Sequence, residues 1–150
     1  MSDSILERAM AAQQALQEAL EAEPPFAGES PIPVTLGYPV DLRDECAWVS
    51  CTLGGEIAPV DSASQLFSSN PHVGGGIYVS QMTGEDWSAL RARLQELFLA
   101  LEELLRRDRT LGGTCANAYI SSIAVTEIYP SATQVALRAI FELDVQQYIA

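Results

Sequence analysis

His72 is the single histidine of the chain, so any chemistry that needs an imidazole must run through it. It stands between Pro71 and the run Gly74-Gly75-Gly76, with no second histidine and no Cys-x-x-Cys pair to complete a metal site. Serines are plentiful, but no nucleophile-elbow pattern stands near His72. His72 therefore reads as a loop surface residue. The three glycines lack the Gly-Lys-Ser/Thr that would follow in a phosphate loop, and a strand pattern follows them instead of a helix. Asp41, Asp44 and Glu45 offer carboxylates to a cation, yet an ordinary polar turn accounts for them. Cys46, Cys51 and Cys115 are odd in number. Cys46 and Cys51, five apart on a strand-like stretch, fall on opposite faces, which argues against a bridge or a shared metal. They read as small buried hydrophobes in a reduced compartment. No catalytic residues, no cofactor and no metal site are expected.

The basic residues carry a different message. There is no lysine among the eight basic residues, and five of the arginines lie between Arg91 and Arg109. A formal net charge of −12 argues against nucleic-acid affinity by bulk attraction. The cluster is either a solvated helix face or a contact surface for a partner. On the second reading Arg91, Arg93, Arg106 and Arg107 are the residues that would meet a neighbour's carboxylates.

These residues must be positioned by regular elements. From Thr83 to Arg109 the apolar residues Trp87, Leu90, Leu94, Leu97, Phe98, Leu101, Leu104 and Leu105 recur at gaps of three and four, which predicts one long amphipathic helix. Thr83 and Asp86 approximate a capping box, the arginines at the far end oppose the helix dipole, and Gly112 and Gly113 end it. Ser4 and Glu7 form a second capping box before an alanine-rich helix reaching about Ala22, stopped by Pro24 and Pro25. Strands are expected at Val34 to Tyr38, Cys46 to Leu53, Gly74 to Met82, Ala118 to Tyr129 and Thr133 to Ile149. In the last, Val135, Leu137, Ala139, Phe141, Leu143, Val145 and Ile149 share one parity, so one face lies on a core and the other in water. Residues 56–72 hold two prolines and few apolar anchors, and read as a long mobile loop between two strands. The sum is a single α+β domain over residues 1–150. It has an antiparallel or mixed sheet of about five strands, with the N-terminal helix and the long helix packed on one face. Met1 to Ser4 carries no basic region and no apolar run approaches a membrane span, so neither a signal peptide nor a membrane is expected.

Several stretches together resemble tail-terminator (tail-completion) proteins of long-tailed bacteriophages. Asp108-Arg109-Thr110-Leu111-Gly112-Gly113, between a long helix and a strand pair, is similar to the family's Asp-Pro-Thr-Leu-Gly-Gly element, with Arg109 in place of the proline. Val34-Thr35-Leu36-Gly37-Tyr38-Pro39, then Glu45-Cys46-Ala47-Trp48-Val49, is similar to its early Gly-Tyr-Pro and Trp-Val strands. The resemblance implies a homo-oligomeric ring, usually a hexamer, assembled in the host cytoplasm and placed at the head-proximal neck of the virion tail. It would end tube polymerisation, contact the tail-tube protein, and offer the joining surface for the head-tail connector or stopper. DNA would pass through the lumen without specific binding, and no enzyme activity is implied. Two alternatives stay open. One is another ring-forming connector or tube subunit; the other is a small cytoplasmic ligand-binding α+β domain.

Overall fold

The computed structural model describes residues 4–42, 44–61, 66–82 and 86–149. Helix α1 spans Ile5–Ala22 and strand β1 Val34–Leu36. Strands β2 and β3 span Glu45–Asp61 and Leu66–Met82. Helix α2 spans Trp87–Arg107, and β4 and β5 span Asn117–Ser131 and Gln134–Ile149. The strands form one mixed sheet in the order β1-β2-β3-β5-β4, parallel only between β1 and β2. The expected α+β class, with five strands and two helices, is what the chain adopts.

Both helices begin where side chains supply acceptors for orphan backbone donors. The Ser4 hydroxyl accepts from the Glu7 amide at 3.0 Å and the Glu7 carboxylate returns to the Ser4 amide, a complete capping box. Asp86 is itself the N-cap of α2, accepting from the Ser88 amide at 2.9 Å. Thr83, the other half of the expected box, lies outside the described residues. Helix α1 packs on β1 and β2, and α2 on β3 and β5. Leu90, Leu94, Leu97 and Leu101 of α2 are buried in one cluster with Val135, Leu137, Phe141 and Leu143, with Trp87 and Phe98 half-buried against it. This is the core that the leucine spacing and the β5 alternation predict.

The expectation of a loop over residues 56–72 is overturned. Strands β2 and β3 are two arms of one long antiparallel hairpin, paired from Glu45↔Val79 to Asp61↔Leu66 with register shifts between Val49 and Leu53 and between Pro59 and Asp61. The residues that look like breakers are accommodated individually. Pro71 has no amide hydrogen to donate, and it sits where the β3–β5 ladder lapses between Ser69 and His72. Gly55 lies opposite Pro71 with φ +147°, and a Cβ there would strike the Asn70 carbonyl.

The glycine run 74–76 also has a packing role. A Cβ on Gly76 would enter the indole of Trp48, and one on Gly75 would strike the Trp48 carbonyl and the Phe141 ring. The glycines let two large rings close over the central strand, one on each face. On the face away from the helices, Trp48 joins Cys46, Tyr78 and Ala136 in a second small cluster. The Tyr38 ring meets Trp48 edge-on at 5.0 Å.

The Asp108–Gly113 element is a tight turn built around one carboxylate. Asp108 accepts from the Thr110 amide and hydroxyl through one oxygen, and from the Gly112 amide at 2.7 Å through the other. These donors favour the ionised form and hold the Asp108 carboxyl below its usual pKa. Leu111, at φ +47°, is thereby driven into the core, and Gly112 and Gly113 follow at positive φ. The turn is locked further by Gln147, whose side-chain amide donates to the carbonyls of Arg8 and Thr114 at 2.9 and 3.2 Å. Gln147 shares the apolar parity of β5, and it ties α1 and the turn to the last strand.

Candidate functional site

The four arginines expected at an interface do not form one patch. Arg93 points back to the sheet and holds Glu45 through two guanidinium nitrogens, with Glu96 at 3.0 Å as a further partner. Those carboxylates push its already high pKa higher still. Arg107 reaches Glu23, the C-cap residue of α1, and so clamps the ends of the two helices. Arg106 pairs with Glu102 one turn back on its own helix, an exposed contact. Arg91 stays exposed beside Gln95, Val125 and Glu127. The Arg93 pair also uses the carboxylate of Glu45, so that group of the Asp41–Glu45 turn already has a cationic partner. Arg93→Ala is therefore expected to lower the stability of the free subunit by about 1 kcal/mol, the range for half-exposed bidentate pairs. Arg91→Ala should stay within about 0.5 kcal/mol. A urea melt compares them, and equal losses would show that Arg91 also pairs within its own chain.

The unpartnered apolar surface lies elsewhere, in two unlike places. Strand β4 pairs only with β5, so its outer edge is open along Asn117–Ser131. Natural edge strands are usually blunted by lysine, proline or an inward charge. From Ser121 to Tyr129 this one offers a single charge, Glu127, and no proline. Ile123 and Val125 are 49% and 55% exposed and face α2 across an open groove of about 320 Å³, whose other wall is Leu94, Phe98 and Leu99. Helix α2 lies over β3 and β5 and touches β4 less, with Trp87 meeting Tyr129 edge-on at 6.3 Å. The second surface is toward the other edge of the sheet. There Ile5 and Leu6 of α1 and Leu53, Ile57 and Pro71 of the hairpin line a cleft of about 330 Å³. Beyond Val49 the outer side of β2 has no strand partner among the described residues, because β1 stops at Leu36, and the Gln13 side-chain amide of α1 donates there to the Ser50 and Thr52 carbonyls at 2.8 and 3.2 Å. That also corrects the cysteine expectation. Cys46 and Cys115 are buried, but Cys51 lies past the cover of β1 and is exposed.

His72 is not an isolated loop residue. It lies on β3, paired across the ladder with Asp144 and two positions from Gly74, which faces Glu142. Its Nδ1 lies 2.7 Å from Glu142 Oε1 and 3.2 Å from Asp144 Oδ1. The hydrogen bond to Glu142 outweighs desolvation and raises the His72 pKa, with Asp144, Glu142 and Glu56 adding attraction. The Tyr119 hydroxyl donates to Asp144 Oδ2 at 3.0 Å from the neighbouring strand. The cluster opens on a shallow groove of about 520 Å³ lined also by Ser50, Thr52 and Ser122, on the sheet face away from the helices. Glu142 and Asp144 escaped the sequence reading as partners of His72. Their only local signal is that they share the water-facing parity of β5.

Among the described residues no helix is long and apolar enough to cross a membrane. No family model matches the chain, and no characterised protein matches it in sequence.

Proposed function

We propose that this chain is a structural protein that closes into a homo-oligomeric ring, as a phage tail terminator does. The observation that carries the proposal is the pair of unlike apolar surfaces toward opposite edges of one sheet: the β4–α2 groove and the α1–hairpin cleft. A two-fold dimer needs one patch that fits itself, whereas a ring needs two different patches, each fitting the other. Val125 on one side and Leu6 and Ile57 on the other are more than half exposed in the lone subunit, a combination that marks interaction surface. The motifs quoted for the resemblance support the finer reading, because each has a structural role in this fold. Gly37-Tyr38 follows β1 and packs on Trp48 of β2, and Asp108–Gly113 turns α2 into β4.

On this reading the ring caps the head-proximal end of the tail tube, stops its growth and receives the head-tail connector. It works by shape and complementarity and needs no active site. Twelve excess negative charges per subunit favour an inner wall that repels passing DNA at a reach of about 8 Å in physiological salt. Mass measurement of the purified protein, with negative-stain imaging, tests the class: a closed ring of fixed size is expected. Open stacks would point to a tube subunit, and a monomer at high concentration would sink the ring. Deleting the protein from its phage should give tails of uncontrolled length that fail to join heads. Normal tails joined to filled heads would refute the terminator role.

A further inference from the structure

We infer that His72, Glu142 and Asp144 form a binding site for a first-row divalent transition ion, with Zn²⁺ as the natural probe. The site is independent of the ring reading. Its three donor atoms come from two adjacent strands of the sheet, and all lie within 4.8 Å of one another. His72 Nδ1 lies 2.7 and 3.2 Å from the two carboxylate oxygens, a few tenths of an ångström short of the roughly 3.4 Å between tetrahedral ligands that each stand about 2.1 Å from one ion. No large rearrangement is needed. The strand pairing already puts His72 opposite Asp144, and Glu142 two residues along on the same face.

Three further features distinguish this cluster from an ordinary surface ion pair. Asp144 Oδ1 is buried and makes no hydrogen bond, although Nδ1 lies nearby. Its other oxygen is fixed by the Tyr119 hydroxyl, the outer-shell contact that orients a ligating carboxylate. The neighbours that would crowd an ion are glycines: Gly54 lies across β2 from His72, and Gly74 lies across from Glu142. The groove in front therefore has room for the water molecules that would complete the coordination of a three-ligand site. Two carboxylates with one imidazole give a neutral site for a divalent ion once His72 gives up its proton. The nitrogen ligand selects transition ions over Mg²⁺ and Ca²⁺, which take oxygen.

The test uses the full-length protein in a Cys51→Ser background, since the exposed Cys51 thiol is the competing zinc ligand. Titration calorimetry with ZnCl₂ is expected to show one saturable site per chain, and MgCl₂ at the same concentrations none. His72→Ala, Glu142→Gln and Asp144→Asn should each weaken Zn²⁺ binding by tenfold or more. Glu142→Gln keeps side-chain shape and serves as the decisive variant if His72→Ala does not fold, as judged by circular dichroism. Substituting Co²⁺ should give an absorption spectrum without a thiolate charge-transfer band. Absence of saturable Zn²⁺ binding, or binding that survives Glu142→Gln unchanged, would overturn the assignment.

Discussion

Leu97→Ala is expected to destabilise the folded subunit by roughly 2–5 kcal/mol, the range for truncating a fully buried leucine. Leu97 is completely buried on the face of α2 that meets the sheet, in the cluster that holds Phe141 and Leu143. Two terms add. The removed methyl groups lose their transfer energy, and the cavity left behind closes only partly, because its walls belong to a paired sheet and a 21-residue helix. A domain of this size has about 5–15 kcal/mol of stability in all, so the variant should lose a large share of it. A denaturant melt reads the loss directly. The contrast is Leu99, two residues along and on the outer side of the same helix at 43% exposure. Leu99→Ala should change the melt of the free subunit by less than about 1 kcal/mol. If Leu97→Ala costs under half a kcal/mol, the packing of α2 on the sheet is wrong.

The helices were legible because their signals are local. A leucine every three or four residues and a capping side chain one turn away are read within one window of sequence, and α1, α2 and β5 follow from them. The inner halves of the hairpin arms, Cys46 to Leu53 and Gly74 to Met82, were legible, but the outer halves were not, for the opposite reason. Gly54, Gly55, Pro59 and Pro71 are poor strand formers by local preference, and tertiary pairing overrides them. Pro71 is tolerated because the ladder lapses at that residue, a fact set by β5 from over seventy positions away. The His72 cluster was hidden by the same distance. Nothing near His72 in sequence marks Glu142 and Asp144 as its neighbours, and only the β3–β5 register brings them together. The arginines show the converse limit. Their clustering on α2 was visible, but Arg93 and Arg107 are engaged with Glu45 and Glu23 of their own chain. Charge count along a helix does not reveal which charges the fold itself uses.

Val125→Lys and Leu99→Lys are expected to abolish ring assembly while leaving the subunit folded. The two side chains stand on opposite walls of the β4–α2 groove, and each is about half exposed in the lone chain. A lysine at either place can lay its stem along the groove and keep its ammonium in water, so the free subunit should lose no more than about 1 kcal/mol. In an assembly the same ammonium would be driven into a desolvated apolar seam. Lysine on an edge strand also acts as a barrier to pairing with another chain. An anchor lost from the centre of an interface costs about 2 kcal/mol or more, near thirtyfold in affinity. In a closed ring every subunit carries the change, so a hexamer would forfeit about 12 kcal/mol over its six interfaces. That multiplication makes assembly far more sensitive than folding to the same substitution. Sedimentation should find wild-type rings and variant monomers, with superimposable urea melts when both are measured as monomers. Lysine at position 10 in place of Met10, 53% exposed on α1 and outside both grooves, serves as the control and should leave rings intact. Rings that form normally with both groove variants would remove the β4–α2 surface from the interface.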